Sequence, residues 1–450
     1  MGGPTVSLNA SEMPSAVIPP PDSAPVGIPS TKQNRLIGGL VGTNAAGFIS
    51  LSVPQLVLLT THLTTIAGPG ATAAFSLVSA VGGAAALVAN PFGGRISDRT
   101  AARWGRRRTW ILTGGVVGAL LLLGMGFTTA VWQVALVWAF IEIVVQFQLA
   151  ASSALAADQI LPEKRGSFSG IVSMVSLGGP VIGFGLVSVV SFSPVLQWTV
   201  LAVLSLLGVI LAFVLVRDPQ HQRDPGQARF TFGLFIRSYW VSPRRHPAFG
   251  WAWFVRLLIT AAWSSDIYFA SVFTTRFNVA SKDVTGDVFI LTLIGIVCVA
   301  VTAVITGTVS DRVHRQKPFI FAGGILLAIG LLLLAFAPSP IWEYVSAAVM
   351  SLGYGTFLAT DFAMCIRVLP NPETFGKDFG VLNIANTLPG LLVPSIALVL
   401  LPIGGFVTLF ISMAVLAVIG AVIVARIPDI GQEGDPRFAF ITRLDKPAKV

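Results

Sequence analysis

Twelve runs of about twenty or more largely apolar residues follow one another along the chain, at about 36–60, 71–94, 110–129, 131–157, 168–192, 195–216, 248–273, 287–309, 318–337, 341–366, 379–401 and 404–427. A helix needs about 20 such residues to cross a hydrocarbon core about 30 Å thick. In lipid no water can satisfy a backbone N–H or C=O, so a crossing run of this kind must be helical. The sequence therefore predicts an all-α polytopic membrane protein of twelve spans. Composition agrees, since 54% of the residues are hydrophobic and 11% charged, where soluble domains carry about 25% charge. The lipid bilayer is thus the first expected partner. The net charge of +9 does not point to nucleic acid, because a nucleic-acid binder carries its basic stripe on a water-soluble scaffold.

Basic residues set the expected orientation, because cytoplasmic loops are enriched in Lys and Arg. With the N-terminus inside, the 29 Lys and Arg all fall in the inner tails and loops, except Arg256, Arg276 and Lys282. Both termini are then cytoplasmic, and the protein is expected in the inner (plasma) membrane of the cell. The expected organisation is a disordered proline-rich tail over 1–34, a six-helix bundle over 35–216, a cytoplasmic linker over 217–247, a second bundle over 248–427 and a cytoplasmic tail over 428–450.

The two halves repeat each other. Gly94-Arg-Ile-Ser-Asp98-Arg99 recurs as Gly307-Thr-Val-Ser-Asp311-Arg312, each time in the loop after the second span of a half. A second pair, LPEKRGSFSG from Leu161 and LPNPETFGKDFG from Leu369, leads from the fourth span of each half to its fifth. Between Arg95 and Arg108 six arginines surround one acid, Asp98. Charge that only anchors a loop needs no carboxylate, so the pair of motifs reads as a cytoplasmic gate of Gly94, Asp98, Arg99, Arg108, Gly307, Asp311 and Arg312. Asp98 is expected to meet the N-terminus of span 11 and Asp311 that of span 5, where unpaired N–H groups favour a carboxylate by about 0.3–1 kcal/mol. The plainer reading is a tight turn carrying topogenic charge.

An ionisable side chain within a span costs about 2.5–3.5 kcal/mol on insertion scales and is a functional candidate for that reason. Glu142 lies near the middle of span 4, with Gln146 one turn further on the same face. Arg256 and Asp266 lie in span 7 and Asp361 in span 10, where Gly353-Tyr-Gly355 is expected to loosen the helix. Asn44 and Gln55 share a face of span 1, and Asn383 and Asn386 one of span 11. Hydrogen-bonding side chains beside aromatic faces suit a neutral polyol, a small-molecule substrate of the sugar type. The structural reading of the same amides is hydrogen bonding between helices, worth about 0.6–2 kcal/mol. Asp266 can reach the outer interface, and Trp251, Trp253 and Trp263 read as interface anchors or packing.

Two six-helix halves, each with G-x-x-x-D-R between its second and third helices, resemble the major facilitator superfamily over about residues 35–427. Within it, SDRTAARWGRRRTWI, LAADQILPEKRGSFSG and GYGTFLATDFAMCIRVLPNPETFGKDFGVLNIANTLPG are similar to the glycoside–pentoside–hexuronide:cation symporters and the related sucrose-type proton symporters. The resemblance implies secondary active transport by alternating access, with the substrate near the midplane between the halves. The acids that melibiose-type members carry on span 2 are absent from LVANPFGG, where Ala86 and Asn90 stand, and Ser153 replaces the arginine of the sucrose type. The expected coupling ion is therefore H+, carried by Asp361 or Glu142 with Arg256 as counter-charge. Efflux of a drug or secondary metabolite is the alternative on the same scaffold.

Nothing in the sequence calls for a metal or other cofactor. The histidines at 62, 221, 246 and 314 have no ligand spacing, Cys298 and Cys365 sit in apolar runs, and neither GxSxG nor HExxH occurs. An enzyme is not expected, and the chain reads as a monomer.

Overall fold

The computed structural model describes residues 30–100, 102–190, 193–218, 247–313, 315–367 and 375–427. Residues 1–29 of the expected N-terminal tail, the expected tail over 428–450, most of the expected linker and His314 lie outside them, as do the side chains of Asp311 and of residues 375–380; residues 30–34, expected in the tail, already belong to the first helix.

Nine helical segments among the described residues are long and apolar enough to cross a membrane. Two of these, Gln33–Arg99 with 67 residues and Val381–Arg426 with 46, exceed the roughly 20 residues of one crossing and double back. The first turns at Gly68–Gly70, and the second leaves helical geometry at Gly404 and Gly405. The 27-residue helix Ile341–Arg367, which carries Glu343 and Asp361, supplies another crossing. Nine segments, two extra crossings from the hairpins and this helix make the twelve spans.

Span 1 covers 30–67, span 2 Ala71–Arg99, span 3 Arg108–Met125, span 4 Val131–Gln159, span 5 Pro162–Val189 and span 6 Pro194–Leu215. Span 7 is Pro247–Arg276, span 8 Ser281–Val313, span 9 Lys317–Ala335, span 10 Ile341–Arg367, span 11 covers 375–403 and span 12 406–426. Packing repeats at an offset of six spans: spans 2 and 4, 3 and 4, and 3 and 6 pack together, and so do 8 and 10, 9 and 10, and 9 and 12. Each half centres on its own aromatics, with Phe75, Trp138, Phe184 and Trp198 in the first and Tyr268, Phe273, Phe357 and Phe410 in the second, all fully buried. Leu120, Phe213, Val304 and similar side chains face outward, as lipid-facing residues must.

Spans 1 and 7 depart from regular geometry. Span 1 widens into a π turn at Pro54–Leu58, where the proline ring removes a donor and crowds the carbonyl one turn back. Span 7 tightens to a 3-10 turn at Ser264–Tyr268 and ends in a π turn at Val272–Arg276. The Pro54–Leu58 and Ser264–Tyr268 segments lie against each other across the halves. Gly353 and Gly355 do not loosen span 10, which stays helical; a Cβ on either would strike the backbone of span 9 or span 8 at 2.5–2.8 Å. They are there for close packing.

The halves also meet where Gly83 of span 2 faces Gly390 of span 11, so closely that a Cβ on Gly83 would lie 2.2 Å from the Gly390 carbonyl oxygen. Span 5 packs on span 8. Further contacts between halves gather at the end opposite the arginine-rich loop, called the far end below: Ser76 and the Tyr268 hydroxyl are 2.8 Å apart, Thr60 and Ser271 hydroxyls 3.4 Å, and Gln197 donates to Thr285 at 3.4 Å. Phe75 meets the Tyr268 ring edge-on at 5.5 Å.

Candidate functional site

The gate motifs were expected in loops, yet Gly94, Asp98 and Arg99 form the last turns of span 2 and Gly307, Asp311 and Arg312 those of span 8. Neither motif contains a proline, so the i→i−4 ladder runs on through Arg99 and Arg312 in spite of the opening glycines. Ser97 bonds back to the Gly94 carbonyl at 2.7 Å and is fully buried, as is its repeat partner Ser310. The arginines are then distributed differently from expectation. Arg107, not Arg108, pairs with Asp98: its Nη2 lies 2.9 Å from Asp98 Oδ1, and its Nε 2.9 Å from Asp158 Oδ2 at the end of span 4. Arg106 Nη2 reaches Asp158 at 2.6 Å. Arg108 turns instead to the Phe213 carbonyl at the end of span 6 and lies over the Phe213 ring at 5.0 Å.

A further carboxylate closes this cluster. Asp218 Oδ2 accepts the backbone N–H of Arg107 at 2.7 Å and of Arg108 at 3.1 Å, at the start of span 3. Two free donors at a positive helix end are a natural seat for an acid. Gly105 makes room for it, with φ at 97° and an open side that a Cβ would fill at 2.5 Å from Asp218. Asp158 and Asp218 were not legible from their surroundings in sequence, since both are isolated acids 50 and more residues from their arginines. Asp311 and the receiving segment of span 11 lie outside the described side chains, so the mirrored latch rests on the motif alone.

Of the intramembrane candidates, three groups form. In the second half Arg256 Nε lies 3.0 Å from Asp361 Oδ2, the two side chains 8% and 1% exposed. Cys365, one turn beyond Asp361, donates to its Oδ1 at 3.6 Å. In the first half Gln146 donates to Glu142 at 3.4 Å and accepts from Asn90 of span 2 at 3.0 Å, which ties spans 2 and 4. Asn44 and Gln55 share a face of span 1 but serve different neighbours: Asn44 donates to Ser152 of span 4 at 2.7 Å and Gln55 to Ser79 of span 2 at 3.1 Å. Asn383 and Asn386 are exposed on span 11.

The third group lines a cavity of about 190 Å³ between the halves. Spans 1 and 5 contribute Ser52, Leu56, Ser176 and Pro180, and spans 7, 8 and 10 contribute Trp263, Asp266, Thr292 and Ser351. Asp266, expected to reach an interface, is half-buried in the 3-10 turn of span 7 and faces this space. Trp263 is not an interface anchor either: its ring stacks on Tyr354 at 4.3 Å and 7° and borders the cavity. Trp263 and Asp266 are three residues apart and so share one face of span 7; the packing of span 7 turns that face to the space between the halves. Among the described residues no group of three or more His, Cys, Asp or Glu could hold a metal ion.

A family model described as Major Facilitator Superfamily matches residues 36–304 and 280–440. The chain belongs to the Major Facilitator Superfamily. It is a multi-pass membrane protein with a transporter fold, and solved structures of other facilitators resemble it. The nucleoside transporter NupG superposes with a TM-score of 0.67 at 15% identity, over 88% of this chain and 100% of that one. A bacterial homologue of the human lysosomal transporter Spinster, inward-facing and occupied, gives 0.67 at 12% identity over 89% and 99%. The human organic anion transporter MFSD10 (TETRAN) gives 0.59 at 13% identity over 87% and 99%. At these identities the likeness is one of fold. No curated protein matches this facilitator's sequence.

Proposed function

We propose that this facilitator is a secondary active transporter that carries a sugar or glycoside together with protons by alternating access. The observation that carries this reading is the cavity between the halves, lined by Ser52, Ser176, Thr292, Ser351, Asp266 and the Trp263 ring, which stacks on Tyr354 behind it. Sugar rings stack on aromatic faces while their hydroxyls require paired partners, and a carboxylate accepts two such hydroxyls at once. Size favours a small solute. Pockets for drug-sized ligands measure about 300–1,000 Å³, against about 190 Å³ here, which argues against export of a bulky drug.

The contacts at the far end support a conformation closed there, and we read the arginine-rich end as the open one. With the basic loops in the cytoplasm, that is the inward-facing state of a protein in the inner membrane, working as a monomer of two bundles, 35–216 and 248–427, with a cytoplasmic linker between them. The cytoplasmic gate then consists of Asp98 with Gly94, Arg99 and Arg107, and of the second motif at Gly307, Asp311 and Arg312. Asp98 leaves Arg107 for the N-terminus of span 11 when the halves rock. Proton coupling falls to Asp361, whose charge Arg256 compensates, and to Glu142.

Proteoliposomes test the reading. Uptake of labelled monosaccharides and glycosides is expected when the interior is alkaline and not when it is acid; transport that runs only in the opposite sense would make the protein an exporter. A thermal-shift screen of sugars, glycosides, nucleosides and hydrophobic drugs identifies the cargo, because a ligand bound only by the folded state raises apparent stability.

A further inference from the structure

Glu343 sits in the first turn of span 10 with none of its surface exposed, and neither of its carboxylate oxygens has a hydrogen-bond partner among the described residues. The charged groups that face it are Asp287 of span 8 and Arg276 at the end of span 7. Neither bonds to it, and only Arg276 carries a charge that offsets its own. Asp287 is another acid, held by the neighbouring Tyr344 hydroxyl at 2.8 Å. Arg276 is committed elsewhere: its Nη1 donates to the Leu334 and Ala335 carbonyls at 3.1 Å each and its Nη2 to the Ala337 carbonyl at 2.9 Å, which together cap span 9. An ionised carboxylate without water, donor or paired cation is among the least tolerated groups in a protein interior, and such a group takes up a proton instead.

The same short segment that ends in Arg276 carries the far-end closure. Tyr268 meets Ser76, Ser271 meets Thr60, and Phe273 lies within 6.0 Å of the Tyr344 ring. We propose that Glu343 is a proton-binding site at the far end of the second bundle, and that its neutral form keeps Arg276 on the last carbonyls of span 9 and the far end shut. On loss of the proton, Glu343 becomes the stronger partner for Arg276. The guanidinium leaves span 9, the Val272–Arg276 turn follows it, and the contacts of Tyr268 and Ser271 with the first half part. A proton arriving from the far side then favours closure, which is the order that proton-driven uptake requires. The inference rests on the reading of this chain as a proton-coupled transporter, but it concerns a site distinct from Asp361 and from the cavity.

The test uses no substrate, so its failure and the failure of the transport reading are separate events. Infrared spectra of the full chain in nanodiscs at neutral pH are compared between wild type and Glu343→Gln; the difference spectrum is expected to show the loss of one neutral carboxylic C=O stretch, with any bands of Glu142, Asp266 and Asp361 common to both. In parallel, Thr60→Cys is labelled by a membrane-impermeant maleimide, with the chain lacking that cysteine as background for Cys298 and Cys365. The ratio of labelling rates, Glu343-containing over Glu343→Gln at each pH, cancels the thiol's own titration. It is expected near unity in acid and to rise several-fold in alkali. Should Glu343→Gln fail to fold, Asp287→Asn serves the same purpose: without the second acid, opening is expected at lower pH. An infrared band unchanged in Glu343→Gln, a flat labelling ratio, or an opening unmoved by Asp287→Asn overturns the proposal.

Discussion

Arg256 Nε lies 3.0 Å from Asp361 Oδ2 inside the second bundle, with both side chains almost wholly buried. Breaking such a pair from one side leaves an uncompensated charge and costs about 3–5 kcal/mol, whereas replacing both partners by apolar residues is often neutral. Asp361→Asn is therefore expected to abolish accumulation driven by a proton gradient while sparing exchange, and to lower thermal stability. The double substitution Arg256→Met with Asp361→Leu should recover stability without recovering accumulation. Proton-driven uptake that persists in Asp361→Asn removes Asp361 from the coupling role.

Arg107 holds Asp98 and Asp158 through separate nitrogens of one guanidinium. A lysine has a single ammonium and cannot reproduce that fork. Arg107→Lys and Asp98→Asn are each expected to lower transport several-fold while the protein still reaches the membrane at normal amounts. Transport rates in proteoliposomes, normalised to protein incorporated, check this.

Gly83 admits no side chain while the far end is closed, because a Cβ would meet the Gly390 backbone at 2.2 Å. Gly83→Ala is expected to push the population toward the far-end-open state. Labelling of Thr60→Cys from that side should rise; unchanged labelling would mean that the halves separate without moving at Gly83.

Trp263 and Asp266 share the cavity. Trp263→Ala is expected to weaken substrate binding about tenfold, equivalent to about 1.4 kcal/mol, and Asp266→Asn at least as much, since the acceptor pair becomes one acceptor and one donor. Isothermal titration with the ligand found by thermal shift measures both.

Gly105 has φ at 97° and a neighbour that leaves no room for a methyl group. The left-handed backbone alone costs an L-residue about 1–2 kcal/mol. Gly105→Ala should lower the unfolding temperature more than Asp218→Asn, which keeps the acceptor for the N–H groups of Arg107 and Arg108.

Hydropathy and the repeated G-x-x-x-D-R motif were enough to read the twelve spans and the two-bundle plan, and the family match agrees with them. Motif boundaries were less legible. Asp98 and Asp311 lie in helix and not in loop, because a span's helix outlasts its apolar run. The partners of Asp98 were out of reach for another reason: the choice between Arg107 and Arg108 depends on which way successive residues point at the start of span 3, and Asp218 decides it by binding both backbone N–H groups. Trp263 was read as an interface anchor or packing, because the sequence does not tell which way the shared face of Trp263 and Asp266 turns; the neighbours of span 7 decide that. Glu343 escaped notice for its position at the very start of a span, where an acid ordinarily meets water.

The chain alone determined that it crosses a membrane repeatedly, as two related halves with their basic loops on one side. A bilayer is a slab, and both apolar length and loop charge are quantities that run along a line. Which polar groups meet was decided only in three dimensions. Rotation and depth of each helix are set by its neighbours, so the same buried acids become a paired charge at Asp361, a cavity wall at Asp266 and an unpartnered carboxyl at Glu343.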